Sequence, residues 1–259
     1  MIFIRFGYNY KTKEYFNGEK LCVVYNNYYI SLNNKPSSKG VRGSARLKSK
    51  SIASSIARTR NAIYDIAKSN NWDYMITLTF NSEKVNSRYD YNELLKKVSV
   101  WLHNQKKRKS PNLKYLIVPD LHKEDVWGKA FHFHGLLSDI GDMELIETNK
   151  KDKNNRVIYN IKGFTAGFTT ATKISSTKKV SNYITKYITK EMAVYTFNKK
   201  KYLCSQGLNR PIEKCTLLSK EQLLSVDEHL TNVASYKNVS YYDITGNIDF
   251  TKKTSYYYL

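Results

Sequence analysis

The chain has 259 residues, and its 43 Lys and Arg against 22 Asp and Glu give a formal net charge of +21. Its 41% apolar and 14% aromatic content excludes a disordered chain, and no apolar run is long enough for a membrane span. The charge favours a polyanionic partner, with nucleic acid as the first expectation, although Lys-, Asn- and Tyr-rich coding composition explains part of the excess.

The first half of the chain predicts alternating strands and helices. Residues 1–35 predict short strands, and residues 36–43 predict a basic turn. Apolar periodicity then predicts a helix over 46–69, a strand over 74–80 and a helix over 91–103.

The second half predicts mostly strands. Two strands, over 113–121 and 131–137, are joined by a loop at 122–130 and predicted to pair as a hairpin. A second hairpin is expected over 144–161, followed by a strand over 164–174. This order favours an antiparallel sheet with helices packed on one face.

Further helices are predicted over 176–192 and 219–234. The length suits one large domain with extensions. We expect N-terminal strands and a basic linker over 1–45, a central domain over 46–211, and a C-terminal extension over 212–259 that packs on it.

Targeting and redox signals predict a cytoplasmic protein. The first ten residues lack the pattern of a signal peptide, so we expect no export and no membrane contact. Cys22, Cys204 and Cys215 are odd in number and far apart, which argues against a disulfide scaffold.

Two histidines form the first chemical motif. His132 and His134 are two residues apart on a predicted strand, so both imidazoles point the same way. Asp120 or His122, on the partner strand, would add a third ligand. A carboxylate and two imidazoles suit Mg²⁺ or Mn²⁺ that also holds a phosphate. Zn²⁺ hydrolysis, or histidines that only form hydrogen bonds, are the alternatives.

The unit Y-I-T-K occurs twice in succession over residues 183–190. On a helix, residues four apart share a face, which places Tyr183 beside Tyr187 and Lys186 beside Lys190. A phenol is a weak nucleophile at neutral pH, but a metal-bound phosphate and a Lys ammonium would favour its ionised form. The alternative is a helix that packs its tyrosines and leaves its lysines to solvent.

Other residues are candidates for contact with a phosphate backbone. Thr77 and Thr79 point to one face of a strand, and they either bind phosphate or backbone or serve simply as strand formers. The basic candidates for DNA contact are Arg42, Arg46, Lys106, Lys107, Arg108 and Lys109, and a solvated helix end is the alternative for the last four.

Three motifs together resemble a known superfamily. M-I-T-L-T-F at 75–80, F-H-F-H-G-L-L at 131–137 and V-S-N-Y-I-T-K-Y-I-T-K at 180–190 resemble, in order, the motifs of rolling-circle replication initiators of the HUH endonuclease superfamily. The doubled tyrosine is similar to initiators of small single-stranded DNA phages and their plasmid or prophage relatives. The segment S-Q-G-L-N-R-P at 205–211 resembles one that follows the third motif, so the resemblance covers roughly 50–211.

The resemblance implies an α+β, RRM-like fold with a central antiparallel sheet. It implies metal-dependent, site-specific nicking of single-stranded origin DNA through a 5′-phosphotyrosine intermediate, followed by rejoining. The family often has Glu where this chain has Asp120, so His122 would replace or supplement it. The implied metal ligands are Asp120, His132 and His134, the nucleophiles Tyr183 and Tyr187, and the supporting cations Lys186 and Lys190.

No G-x-x-x-x-G-K-[ST] motif occurs, so the helicase domain of some eukaryotic-virus initiators is absent. We therefore expect a host helicase and polymerase as partners, in a bacterial cytoplasm. A relaxase or a single-strand DNA transposase shares this superfamily. Relaxases usually carry the nucleophile before the histidine strand, and such transposases carry one tyrosine. A non-catalytic nucleic-acid binder is a further alternative.

Overall fold

The computed structural model describes residues 7–26, 28, 30–31, 48–125, 128–196, 198–241 and 253–259. The chain forms two compact units, Met1–Ser55 with Arg210–Leu259, and Ile56–Asn209. The functional boundaries expected at residues 45 and 211 stay predictions. The described part of the chain contains no helix long and apolar enough to cross a lipid bilayer.

The described strands and helices alternate along the chain. The helices are α1 (Lys48–Lys68), α2 (Tyr91–Arg108), α3 (Thr177–Ile184), α4 (Lys190–Tyr195) and α5 (Lys220–Val233), with a 3-10 turn at Thr185–Tyr187. The strands are β1 (Gly7–Tyr8), β2 (Tyr10–Glu14), β3 (Lys20–Asn26), β4 (Ile30–Ser31), β5 (Tyr74–Phe80), β6 (Lys114–Asp125), β7 (Gly128–Ser138), β8 (Leu145–Lys151), β9 (Val157–Ile161), β10 (Gly167–Lys173), β11 (Leu203–Cys204), β12 (Ile212–Thr216), β13 (Tyr236–Ser240) and β14 (Lys253–Tyr258).

The unit that joins the two ends of the chain contains a five-stranded antiparallel sheet in the order β12-β2-β3-β14-β13, and β1 pairs separately with β4. Helix α5 packs Leu223 and Leu230 against Val24 and Tyr257. The Tyr257 hydroxyl, on a fully buried side chain, donates to Asp227 Oδ1 at 2.5 Å. Removal of this apolar surface from water stabilises the unit.

The unit of Ile56–Asn209 is built on a seven-stranded antiparallel sheet in the order β11-β6-β7-β5-β10-β9-β8. Side chains alternate between its two faces. One face carries Leu78 and Phe133, both fully buried, and the apolar stripe of α2 contributes Leu94 and Val98 to the same core. The α+β class and the antiparallel sheet predicted from the sequence are confirmed.

The hairpin of β6 and β7 is longer than predicted, because the two strands continue to Asp125 and back from Gly128 through the segment expected to be a loop. Pro119 has no N–H to donate. Neighbouring strand β11 pairs only with Leu116 and Ile117, so within the described pairing Pro119 lies beyond its reach. The edge position expected for this proline is confirmed.

The single helix predicted over residues 176–192 is wrong in its middle. The Ile188 carbonyl accepts a hydrogen bond from Arg60 Nε at 2.7 Å, and Thr189 has extended backbone with φ −93° and ψ 170°. The Thr189 hydroxyl then caps α4 by accepting from the Met192 N–H at 3.0 Å. A tertiary hydrogen bond and a helix cap therefore divide the segment into α3, a 3-10 turn and α4.

Candidate active site

One face of the seven-stranded sheet collects the candidate residues of three strands. On β7, His132 and His134 point to the face opposite Phe133. The register places Asp120 of β6 and Thr79 of β5 beside His132, and Thr77 of β5 beside His134. We call this surface the histidine face. The sequence prediction that both histidines share one face is confirmed by this register.

His134 is held at both ring nitrogens. Its Nε2 lies 3.4 Å from Asp120 Oδ2, and its Nδ1 lies 3.1 Å from the Thr77 hydroxyl oxygen. The His134 side chain is only 12% exposed. Contacts on both edges fix the orientation of the ring, which is the usual role of a partner to a metal-binding histidine.

His132 lies in a cluster of imidazoles. Its ring stacks on that of His122 with centroids 4.7 Å apart, and its centroid is 5.6 Å from that of His134. Burial lowers the pKa of His132 to about 4, the neighbouring imidazoles lower it further, and the Asp120 carboxylate opposes them. His132 is therefore neutral at pH 7, as a metal ligand must be.

The position of His122 follows from an irregularity in β6. The register between β6 and β7 shifts between Leu121 and Glu124, and His122 lies in that interval. Sequence spacing alone leaves its position open, because a bulge changes the alternation of side chains. The structure places it over His132, beside the ligand set and on the outer side.

The donor atoms match a divalent metal site in kind. Two imidazoles and a carboxylate lie on adjacent strands, and such donors bind cations that keep open positions for a substrate. As the side chains stand, no group of three or more His, Cys, Asp or Glu among the described residues is arranged to hold a metal ion. Metal binding would require side-chain rotation within this cluster.

The tyrosine pair lies against the histidine face. The Tyr187 ring stacks on His134 with centroids 3.9 Å apart and an interplanar angle of 11°. Tyr183 packs edge-on against Tyr187 at 5.3 Å, and Lys186 Nζ lies 5.7 Å from the Tyr183 ring centre. Elements therefore pack on both faces of the sheet, because α2 covers the Phe133 face. The expectation that the helices lie on one face is wrong.

The two tyrosines differ in environment. Tyr183 is 40% exposed, whereas Tyr187 is half-buried between Tyr183 and His134. Burial raises the pKa of Tyr187 above its ordinary value, and a hydrogen bond to Tyr183 and the negative charge of Asp120 add to the shift. Tyr187 therefore resists ionisation more than an exposed phenol does.

The segment that carries the tyrosines is anchored from inside. Val180, Ile184 and Ile188 are buried, with Ile184 fully so. At the start of α3 the Ser176 hydroxyl accepts from the Lys179 N–H. Burial of one side leaves Tyr183 and Lys186 on the other. Lys190 is the first residue of α4, and the break before it separates Lys190 from the helical strip predicted with Lys186.

An open groove of about 790 Å³ extends from Tyr183 along β5 and β10. Arg156 in its wall forms an ion pair with Asp152 at 2.6 Å. The sequence analysis did not assign these residues, although a Lys- and Asn-rich hairpin tip is visible in the chain. The lining residues used below are the hydroxyls Thr77, Thr170, Thr172 and Ser175, and the cations Lys153, Arg156 and Lys179.

The other predicted DNA contacts lie apart from this groove. Lys106, Lys107 and Arg108 form the last turn of α2, which packs on the Phe133 face, and Lys109 follows it. Lys109 Nζ lies 3.6 Å from a Glu144 carboxylate oxygen. Their contact with DNA stays a prediction that does not involve the histidine face. Arg42 and Arg46 lie outside the described residues.

The geometry can be set beside known proteins. A family model described as a replication-associated protein of the ORF2 type matches residues 73–192. The matched segment runs from β5 into α4 and contains both histidines and both tyrosines. The match supports a replication-initiator family and a role in DNA replication. No curated protein and no solved structure matches the chain.

Proposed function

We propose that this protein initiates rolling-circle DNA replication by nicking single-stranded origin DNA and later rejoining it. The observation that carries the proposal is the stacking of Tyr187 on His134, with centroids 3.9 Å apart, beside His132 and Asp120. A phenol pair beside two imidazoles and a carboxylate provides a nucleophile and ligands for a phosphate-binding cation. The match to replication-associated proteins supports the same function.

The proposed reaction is a transesterification. A tyrosine hydroxyl loses its proton to solvent, its oxygen attacks the scissile phosphorus, and the bond from phosphorus to the 3′ oxygen breaks. The 3′ oxygen takes up a proton, which leaves a free 3′-OH and a 5′-phosphotyrosine. The free 3′-OH would be extended by a host polymerase, and a host helicase would separate the strands. A second tyrosine allows a second transfer and release of a joined strand.

We assign the first attack to Tyr183 and the second to Tyr187. Tyr183 is 40% exposed, faces the groove, and has the Lys186 ammonium near its ring. A nearby cation favours the phenolate. Tyr187 is half-buried with a raised pKa, so its ionisation is disfavoured while Tyr183 remains in place. Lys190 is the proposed cation for the second step.

Asp120, His132 and His134 are the proposed ligands of Mg²⁺ or Mn²⁺, and His122 would replace or supplement Asp120. A bound divalent cation would stabilise negative charge on the scissile phosphate and the leaving oxygen. Thr77 holds His134 at Nδ1, which leaves Nε2 directed toward Asp120. The groove along β5 and β10 would receive the single strand, with Lys153 and Lys179 facing its phosphates.

Covalent capture tests the proposal. A labelled pool of single strands from candidate origins, incubated with Mn²⁺, should give a denaturation-resistant adduct, and peptide mapping should place the first adduct on Tyr183. Tyr183→Phe with Tyr187→Phe should abolish the adduct and leave DNA binding unchanged. Each single change should separate cleavage from rejoining.

The alternatives predict other results. No adduct across the pool would favour a non-catalytic nucleic-acid binder, and an adduct in the double variant would refute the nucleophile assignment. A relaxase or transposase would form one adduct with no second transfer to the other tyrosine. Metal-independent cleavage by His132→Ala would remove the ligand assignment.

A further inference from the structure

The histidine face carries an exposed phenylalanine. Phe168 on β10 is 64% exposed, although β10 lies inside the sheet between β5 and β9. It pairs with Thr79, which pairs with His132, which pairs with Asp120. The ring therefore lies in the same row of the sheet as two proposed metal ligands, on the same face.

The location of Phe168 is more informative than its exposure. Single exposed apolar side chains are ordinary on protein surfaces. On this face, however, the alternate residues that follow along β10 are Thr170 and Thr172, and both line the groove that begins at Tyr183. An open aromatic ring at the end of a groove rich in hydroxyls and cations has the character of a stacking platform for bases.

The distance suits a nucleotide beside the scissile phosphate. Two strand steps separate His132 from Phe168, and at the usual spacing this is about 10 Å. A base attached next to a phosphate held at His132 reaches a ring at this distance. The groove also provides Lys179 and Lys153 for the adjoining phosphates, so its charge complements a nucleic-acid strand.

We propose that Phe168 stacks on a base of the single strand at a nucleotide adjacent to the scissile phosphate. This rests on the proposed function, because it assumes that the strand lies on the histidine face. The ring would position the strand and favour single-stranded over duplex substrate, since the bases of a duplex are stacked on each other and closed to a side chain.

Binding measurements without metal test this inference separately from cleavage. The probes are a fluorescein-labelled (dT)20 strand and a 20-nucleotide strand without bases, read by anisotropy. Phe168→Ala should weaken binding of (dT)20 by about 5- to 150-fold and leave the abasic strand unchanged. Phe168→Trp should retain binding. Phe168→Leu, which keeps an apolar side chain without a ring, should resemble Phe168→Ala.

The controls separate stacking from other roles. Phe16→Ala removes a phenylalanine that is 72% exposed and should change neither affinity. Equal loss for both strands, or no loss for (dT)20, would overturn the inference. So would a change in oligomeric state of Phe168→Ala by sedimentation, because the ring would then contact a second copy of the chain. Failure of covalent capture would instead count against the proposed function, because these binding assays need no cleavage.

Discussion

Thr77→Val is the most direct test of how the histidine face is organised. Valine has nearly the shape of threonine, so the change removes the hydroxyl that lies 3.1 Å from His134 Nδ1 and little else. Loss of one partly buried hydrogen bond costs about 0.5–1.5 kcal/mol of stability. The expected fall in Tm is a few degrees, at roughly 2–4 °C per kcal/mol for a domain of this size.

The functional loss should exceed this small change in stability. The hydroxyl fixes the His134 ring while Nε2 lies 3.4 Å from Asp120. Loss of such an orienting partner typically lowers metal affinity or activity about 10- to 100-fold. The assay is a Mn²⁺ titration of adduct formation on a fixed single strand. The concentration for half-maximal adduct should rise by this factor in Thr77→Val.

Thr79→Val is the matched control. Thr79 lies two residues along the same strand on the same face and is also half-buried, and the described hydrogen bonds do not include its side chain. Its replacement should leave the Mn²⁺ midpoint within about twofold of the wild type, on the usual scale of a surface change. If both valine variants shift the midpoint equally, or neither does, the orienting role of Thr77 is refuted.

Further measurements examine the fold and the electrostatics. NMR titration of metal-free protein should give His132 a pKa of about 4, and His122→Gln should raise it, because one neighbouring imidazole is removed; a value near 6.5 in both would contradict the burial argument. Gly135→Ala should cost about 1–3 kcal/mol in chemical denaturation, because a Cβ would clash with the Ile117 side chain and lie 3.2 Å from the Leu116 carbonyl; wild-type stability would show that the sheet adjusts freely. Tyr257→Phe should cost about 1–3 kcal/mol through loss of the bond to Asp227, and an unchanged unfolding midpoint would exclude that contribution.

Much of the histidine face was visible in the sequence because strand alternation is local. Two residues of spacing suffice to place His132 and His134 together, and the strand at 74–80 is confirmed. The break at Ile188 was not visible, since it depends on a hydrogen bond from Arg60, a residue distant in sequence. Repetition of Y-I-T-K favours a continuous helix, and only tertiary contacts override that preference.

Phe168 shows a second limit of sequence reasoning. As a residue of a predicted strand it has the pattern of an ordinary core phenylalanine. Its exposure follows from which face β10 turns toward β5, and the register with Thr79 determines that face. A shift of one residue would bury the ring and expose Thr169 instead. Registers between strands distant in sequence are set by the whole sheet, so no local motif reveals this position.

The place of β14 in the five-stranded sheet has a consequence for the order of synthesis. Strand β14 lies between β3 and β13, although β3 is made near the beginning of the chain and β14 near its end. The segment of Ile56–Asn209 is continuous and can acquire its structure while later residues are still being added. Until Tyr258 emerges from the ribosome, β3 keeps an open edge that other strands can pair with. A chain that stops after Asn209 would therefore carry a persistent site for aggregation, even if its histidine face were intact.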